Sequence, residues 1–210
     1  MQQKPRVSII GKGWVGKATL SLFPDALVYD PGFDLVDESA FECDFIFICV
    51  PTPLKDGKLD CSIVQDVVDK CSENSIVIIR STVNPGFCDE QNRKMIMMPE
   101  YIGETVAHPL LDETQRKFVI IGGLPKYRRG VIELLQTTYN ANVTIRQMSL
   151  LEAEVVKLSE NRAIAFKVMQ CQELYDACEN AGIDYYAIRD AVYGDDPRMN
   201  LWFTFIYPNN

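Results

Sequence analysis

Short apolar runs alternate along the chain with stretches in which apolar residues recur every three or four positions. The short runs predict buried strands, and the longer spacing predicts amphipathic helices. Strands that alternate with helices are typical of a Rossmann-like, doubly wound parallel sheet. The predicted strands are residues 7–10, 26–29, 45–50, 76–79, 95–98, 118–123 and 143–145, with helices that begin near Val15 and cover residues 63–71 and 126–139, and a loop at residues 54–59.

The pattern changes at Ser149, after which no Gly or Pro occurs until Gly182. Ser149 and Glu152 have the spacing of a capping box, and Gly182 suits the position after a helix end. One helix over this stretch would be about 50 Å long, more than a single small domain covers. We therefore expect part of the helix at residues 149–181 to pack against a second copy in a homodimer. The predicted organisation is a Rossmann-like domain at residues 1–148 and a long-helix dimerisation segment, with a small helical part, at residues 149–210.

The first predicted strand runs into the motif GKGWVG at residues 11–16, which has the GxGxxG spacing of a dinucleotide-binding turn. Gly11 would allow the tight turn, Gly13 the approach of a pyrophosphate, and Gly16 close packing of the helix on the strand. The phosphates would contact free N–H groups at the positive end of the helix. Asp30 follows the second strand, where an acid can hold the ribose hydroxyls, and a carboxylate there favours NAD over NADP. A purely structural turn is the alternative interpretation.

Polar residues follow several predicted strands. Ligands of doubly wound sheets bind at the carboxyl ends of the strands, which selects Thr52, Thr82, Glu100 and Glu104 as candidates. Each of these could equally be an ordinary turn residue or a helix cap.

Lys157 and Asn161 lie four residues apart in the long predicted helix and so share one face. By spacing alone, a solvated polar stripe is the simpler interpretation. An ammonium and an amide donor on one face can, however, stabilise the negative charge that develops on a substrate oxygen when a hydride leaves.

Composition excludes several classes of protein. An apolar fraction of 47% and a charged fraction of 24% over 210 residues are those of a globular domain, and no apolar run is long enough for a membrane helix. A net charge of −8 argues against nucleic acid as a partner. The seven scattered cysteines fit reduced thiols in a cytoplasmic protein. The single histidine, His108, excludes a histidine-rich zinc site, and no metal is predicted.

Taken in order, the motifs resemble those of the UDP-glucose/GDP-mannose dehydrogenase family over nearly the whole chain. The resemblance implies NAD-dependent oxidation of the C6 alcohol of a nucleotide sugar to a carboxylate through two hydride transfers, in polysaccharide biosynthesis. The matching pieces are GKGWVG at residues 11–16, CVPTP at 49–53, Asp56-Gly57 with Leu59-Asp60, STVNPG at 81–86, Pro99-Glu100 with Glu104, Lys157 with Asn161, Glu173, and Asp196-Pro197-Arg198.

The resemblance also implies a role for each matching residue. Lys157 would stabilise the developing alkoxide, Asn161 would help form an oxyanion hole, and Glu100 would be the base for a later hydrolysis. Glu104 would orient water or relay a proton, Thr82 would lie by the nicotinamide and an active-site water, and Arg198 would contribute to a substrate pocket. The cofactor set is Gly11, Gly13, Trp14, Val15, Gly16, Asp30, Val50, Pro51, Thr52, Thr82 and Glu104; the substrate set is Glu100, Lys157, Asn161 and Arg198.

The chain departs from the family pattern at three points. The family's nucleophilic cysteine element and its second α/β domain do not occur within the 210 residues, and no basic residue follows Asp30 closely, because Phe33 and Asp34 occupy that region. Without the cysteine no thiohemiacetal can form, so we expect this chain alone not to complete the four-electron oxidation. The chain is then a fragment of a full enzyme, a short relative completed by another polypeptide, or a degenerate NAD-binding dimer.

Two functions of other kinds remain open at this point. A β-hydroxyacid dehydrogenase shares the Rossmann-plus-helix plan and needs only one hydride step, although Pro99-Glu100 with Glu104 has no evident task there. A non-catalytic NAD-binding dimer would bind the cofactor and turn over no alcohol. The sequence does not identify the sugar or the nucleotide base.

Overall fold

The computed structural model describes residues 4–102, 112–139 and 142–193. Within these ranges seven strands form one sheet and two form a separate hairpin. The strands are β1 (Val7–Ile10), β2 (Leu27–Tyr29), β3 (Phe45–Ile48), β4 (Leu54–Lys55), β5 (Lys58–Leu59), β6 (Ile76–Ile79), β7 (Met95–Met97), β8 (Phe118–Gly123) and β9 (Thr144–Met148).

The large sheet has the spatial order β2-β1-β3-β6-β7-β8-β9. Its first five strands in this order all pair in parallel, so their carboxyl ends share one edge. The predicted Rossmann-like sheet is confirmed. One detail of the prediction was wrong, because β8 runs antiparallel to β7 and parallel to β9. The hydrophobicity of a short run carries no information about its direction.

The helices are α1 (Trp14–Leu22), α2 (Ser62–Lys70), α3 (Pro125–Leu135), α4 (Leu150–Ala181) and α5 (Tyr185–Tyr193). The predicted loop at residues 54–59 is instead the antiparallel hairpin β4–β5, which turns at Asp56 and Gly57, both with positive φ. Strands of two residues are too short to show a periodic pattern, which is why the sequence did not predict them.

Both faces of the sheet are covered, as a parallel sheet requires. Ile48, Ile79 and Met97 pack on one face with α2 and Ala153 of α4, and Phe47 and Ile78 pack on the other with α1 and α3. Neighbouring residues thus face opposite sides, with the period of two that strands impose.

Both ends of α4 have the predicted signals. The Ser149 N–H donates to Glu152 Oε2 at 2.7 Å, and the Glu152 N–H donates to Ser149 Oγ at 3.2 Å, which is a reciprocal capping box. At the other end Gly182 has a φ of +67°, and its N–H and that of Ile183 donate to the carbonyls of Glu179 and Cys178. This is the Schellman arrangement.

The chain divides into two compact units, Met1–Leu158 and Ser159–Asn210. The described part of the first contains both sheets, α1 to α3 and the first turns of α4. The described part of the second contains the rest of α4 and α5, where the rings of Tyr175 and Tyr185 meet edge to face at 5.4 Å. Among the described helices, none is long and apolar enough to cross a membrane.

Candidate functional site: a cleft at the carboxyl edge of the sheet

β1 passes into α1 through a tight glycine turn. Gly11 has a φ of +94°, and a Cβ there would lie 2.5 Å from the Cys49 carbonyl oxygen, so only glycine fits. A Cβ on Gly16 would lie 1.9 Å from the Gly11 carbonyl oxygen, which shows how closely α1 packs on the turn. Around Gly13 the space is open, because a Cβ there would have no atom within 4 Å. A ligand can therefore approach the backbone at Gly13.

The first turn of α1 presents backbone donors without partners in the helix. No side chain caps the helix at Gly13, and no acidic residue lies in its first turn. The first N–H groups of a helix have no intrahelical acceptor, and the helix dipole adds partial positive charge at the same place. This end of α1 fits an anionic group such as a pyrophosphate.

Asp30 is fixed at the end of β2, next to the glycine turn. Its Oδ2 accepts the N–H of Lys12 at 2.6 Å, and its Oδ1 accepts the N–H of Gly32 at 2.9 Å. Each carboxylate oxygen retains a second lone pair, so the group can still accept bonds from hydroxyls. Asp30, the predicted ribose-binding acid, therefore lies beside the glycine turn with lone pairs left for a ligand.

Two lysines contact Phe33, close to Asp30. Lys12 Nζ lies 5.6 Å and Lys17 Nζ 5.7 Å from the centroid of the half-exposed Phe33 ring. Both distances are within the range of cation–π attraction. Sequence reasoning looked for a basic residue after Asp30 and missed these two, because they belong to the preceding turn and helix.

Hydroxyl groups join the ends of β3 and β6. Thr52 Oγ1 donates to the Thr82 carbonyl at 2.7 Å, and Ser81 Oγ donates to the Val50 carbonyl at 2.7 Å. The loops after two neighbouring strands are thus tied to each other. Thr52 and Thr82, two of the predicted strand-end residues, lie in contact.

Glu100 and Lys157 form a buried ion pair beside these loops. Lys157 Nζ donates to Oε1 and to the carbonyl oxygen of Glu100, both at 2.7 Å, and Glu100 Oε2 accepts the N–H of Ile102 at 2.9 Å. The side chains are 6% exposed for Lys157 and 15% for Glu100. The ring centroid of Tyr101 lies 5.3 Å from Lys157 Nζ. The structure therefore brings together two residues that are 57 positions apart in the sequence.

These features surround one cleft of about 670 Å³, a size that is ordinary for a ligand site. It lies along the carboxyl ends of the parallel strands, with the glycine turn and Asp30 at one end and Thr82 and Glu100 at the other. Of the predicted cofactor set, the residues that line it are Gly11, Gly13, Trp14, Val15, Asp30, Val50, Pro51, Thr52 and Thr82. Gly16 lies behind the turn in α1 and acts through packing.

A fully buried charge cluster lies next to Pro99. Oε1 of Glu113 accepts bonds from Arg80 at 2.9 Å, from Arg116 at 2.7 Å and from the hydroxyl of Tyr139 at 2.8 Å. Burial alone would raise the pKa of Glu113, but the two guanidinium groups and the hydrogen bonds outweigh it and hold that pKa below its ordinary value. Arg116 also donates to the Pro99 carbonyl at 3.3 Å. Sequence reasoning missed this cluster, since its members have no common spacing.

Three buried thiols, of which only Cys49 lines the cleft, are poor nucleophiles. Burial raises the pKa of Cys49 to about 11 and that of Cys71 to about 12. Burial and the neighbouring Glu154 carboxylate raise the pKa of Cys88 as well. Because the thiolate is the reactive form, these three cysteines are suited to packing and not to covalent catalysis.

Three predicted site residues are not brought into the cleft by the described structure. Glu104 and Arg198 lie outside the described residues, as does His108. Asn161 lies on α4 within the second unit, where it is exposed. Their roles stay predictions.

Two family models match the chain. The model for the UDP-glucose/GDP-mannose dehydrogenase family, NAD binding domain, matches residues 32–139, and that for the family's central domain matches residues 151–209. The first match begins after the glycine turn and Asp30, so the case for those residues comes from their geometry.

Individual relatives agree with these models. The chain is 28% identical to a UDP-glucose 6-dehydrogenase of Rickettsia typhi, over 76% of this chain and 40% of the relative. It is 27% identical to a UDP-N-acetyl-D-mannosamine dehydrogenase of Methanococcus maripaludis, over 79% of this chain and 41% of the relative. The chain thus spans about two fifths of the length of the curated relatives that it matches.

Solved structures show the same fold. A GDP-mannose dehydrogenase from Pseudomonas aeruginosa, solved as a ternary complex, superposes with a TM-score of 0.72 at 21% identity, over 95% of this chain and 59% of that one. A UDP-D-ManNAc dehydrogenase from Pyrococcus horikoshii superposes with a TM-score of 0.74 at 18% identity, over 92% of this chain and 58% of that one.

Proposed function

The chain belongs to the UDP-glucose/GDP-mannose dehydrogenase family, and from that premise we propose that it binds NAD in the carboxyl-edge cleft and serves the oxidation of a nucleotide-sugar C6 alcohol. The observation that carries the proposal is the cleft itself. It joins a glycine turn, unpaired helix donors and Asp30 at one end to Glu100, the ion-pair partner of Lys157, at the other.

The adenosine end is argued from charge and space. Gly13 leaves room for a pyrophosphate over the first turn of α1, and Asp30 accepts hydrogen bonds from ribose hydroxyls. The Asp30 carboxylate repels a 2′-phosphate, so NAD is preferred to NADP. The family's NAD binding domain, matched over residues 32–139, supports the same cofactor.

Groups at the Glu100 end of the cleft can stabilise negative charge on a substrate oxygen. When bound, NAD accepts the hydride. Lys157 has three N–H donors, two of which bind Glu100 in the described structure, so one is available for an alcohol oxygen. An ammonium at that oxygen stabilises the alkoxide that remains once the hydroxyl proton has passed to water. Glu100 lines the cleft and pairs with Lys157, and this supports its assignment as the base of a later hydrolysis.

We also propose a homodimer formed through α4. Ile164, Phe166, Val168 and Met169 in the second unit are each about half exposed or more. Exposed apolar side chains repeated along one helix mark a surface for association. All seven cysteines are free, which supports a reducing, cytoplasmic location.

A stepwise titration tests the proposed function. The purified chain is saturated with NAD, and UDP-glucose, GDP-mannose or a small β-hydroxyacid is added while NADH fluorescence is followed under single-turnover conditions. NADH formed with a nucleotide sugar, and lost in Lys157→Met while that variant stays folded and still binds NAD, supports the proposal. NADH formed only with the hydroxyacid would favour the β-hydroxyacid dehydrogenase, and NAD binding without any NADH would favour a binding module. Sedimentation of the same sample as a monomer would contradict the dimer.

A further inference from the structure

Glu154 is a buried carboxylate that the proposed chemistry does not use. It lies on α4 one turn before Lys157 and is completely buried. Its Oε2 accepts the N–H of Gly86 at 2.6 Å and its Oε1 accepts the N–H of Cys88 at 2.8 Å. Both oxygens therefore bind the backbone of the loop that follows β6, the loop that carries Thr82.

We propose that Glu154 is a positioning residue that fixes the Thr82 loop relative to Lys157. The inference rests on the proposed NAD site. It adds Glu154 as the group that sets the geometry of that site at the end where Thr82 lies. Residues three apart on a helix share one face, so one turn of α4 contacts the loop after β6 through Glu154 and the loop after β7 through Lys157. A shift of either loop must then be transmitted through that turn.

The turn of α4 that carries Glu154 and Lys157 is packed tightly against the sheet. Ala153, next to Glu154, is completely buried, and a Cβ on Gly122 of β8 would lie 2.6 Å from the Ala153 Cβ. A second side chain would not fit between the helix and the strand. Because α4 cannot approach or tilt freely at this point, the carboxylate of Glu154 is a fixed acceptor for the loop.

The loop is held from a second side as well. Asn84 Nδ2 donates to the Leu59 carbonyl at 2.8 Å, and the Leu59 N–H donates to Asn84 Oδ1 at 3.3 Å, so the hairpin β4–β5 binds the same loop. Gly86 has a φ of +91°, which side chains rarely adopt. A charge-assisted acceptor from α4 thus holds a loop whose turn depends on the conformational freedom of glycine at position 86.

The position of the loop predicts which ligand depends on Glu154. Asp30 and the glycine turn lie at the end of the cleft opposite Thr82. ADP-ribose shares the adenosine, the pyrophosphate and the second ribose of NAD and lacks only the nicotinamide, so its binding depends mainly on the first end. NAD binding depends on both ends. A defect confined to the Thr82 loop should therefore weaken NAD and spare ADP-ribose.

The experiment compares the two ligands by calorimetry in wild type, Glu154→Gln and Glu154→Asp, with Glu133→Gln on the exposed face of α3 as the matched control. We expect Glu154→Gln to weaken NAD about tenfold and ADP-ribose less than twofold, with Glu154→Asp intermediate because its carboxylate is one methylene short, and with Glu133→Gln unchanged. A lower melting temperature with equal weakening of both ligands, or no weakening of either, would overturn the positioning role.

Two outcomes separate this inference from the proposed function. If wild type binds ADP-ribose and NAD but the Glu154 variants show no selective loss, only the positioning role falls. If wild type binds neither ligand, the proposed NAD site falls and the inference falls with it. Should Glu154→Gln fail to fold, Asn84→Ser loosens the same loop from the hairpin side, and it must show the same selective loss of NAD; equal loss of both ligands would count against the role.

Discussion

The two glycines of the motif that flank Trp14 and Val15 should respond in opposite ways to the same substitution. In Gly16→Ala the added Cβ would lie 1.9 Å from the Gly11 carbonyl oxygen, a backbone atom that cannot move without displacing β1 or α1. Overpacking of this kind costs about 1–3 kcal/mol. In Gly13→Ala the added Cβ meets nothing within 4 Å, and φ is −69°, so the fold tolerates the change.

Gly16→Ala should lower the melting temperature, whereas Gly13→Ala should weaken NAD binding. For a chain of this length, 1 kcal/mol shifts the melting temperature by about 2–4 °C, so Gly16→Ala should melt about 2–12 °C below wild type. Gly13→Ala should melt within about 1 °C of wild type, given the tolerance of surface sites, but should bind NAD about tenfold more weakly, equivalent to about 1.4 kcal/mol. NAD affinity falls because the added methyl group of Gly13→Ala occupies the space proposed for the pyrophosphate.

Differential scanning calorimetry and NAD titration of both variants test this pair of expectations. Unchanged melting in Gly16→Ala would refute the close packing of α1 on the turn. Unchanged NAD affinity in Gly13→Ala would refute the pyrophosphate position, since the methyl group would then lie away from the ligand.

The remaining predictions concern buried charges and thiols. Lys157→Met leaves the carboxylate of Glu100 without its cation and should lower the free energy of unfolding in urea by about 3–5 kcal/mol. The double variant Lys157→Met with Glu100→Gln should recover part of this loss. An unchanged free energy of unfolding in Lys157→Met would show that the pair is not formed. Since the pKa of Glu113 is lowered in the folded state, its contribution to stability is fully present above its ordinary value of 4.5 and is lost as the pH falls through the lower folded value. Glu113→Gln should therefore flatten the decline of stability with pH below 4.5, and an unchanged slope would contradict the cluster. Because the pKa of Cys49 is raised to about 11, iodoacetamide at pH 8 should leave Cys49 unmodified and should react with the more accessible Cys61. Peptide mass spectrometry measures both, and rapid labelling of Cys49 would contradict its burial.

Much of the fold was predictable because its strands are continuous apolar runs. The runs at 7–10, 76–79 and 118–123 were predicted to the residue, and the capping box at Ser149 and the glycine after Ala181 marked the ends of α4. The direction of β8 was not predictable, because pairing direction depends on the path of the chain and not on the residues of the strand.

The site was predictable where a motif has local geometry and hidden where it does not. The glycine turn and Asp30 are recognised by spacing, since each residue has a task set by the backbone around it. The pairing of Lys157 with Glu100 joins two segments far apart in sequence, and no local pattern around either residue predicts the contact with the other. Glu154 had a usable signal, because a carboxylate three residues before Lys157 lies on the same helix face.

The most direct test of the account is calorimetric titration of the purified chain with NAD, followed by UDP-glucose. We predict one NAD per chain, with at least tenfold weaker binding of NADP, and loss of that preference in Asp30→Asn because the variant no longer repels a 2′-phosphate. A second heat on addition of UDP-glucose would show that the end of the cleft at Thr82 and Glu100 also receives its ligand. The absence of any NAD binding at millimolar concentration would contradict the central claim that this cleft is a dinucleotide site.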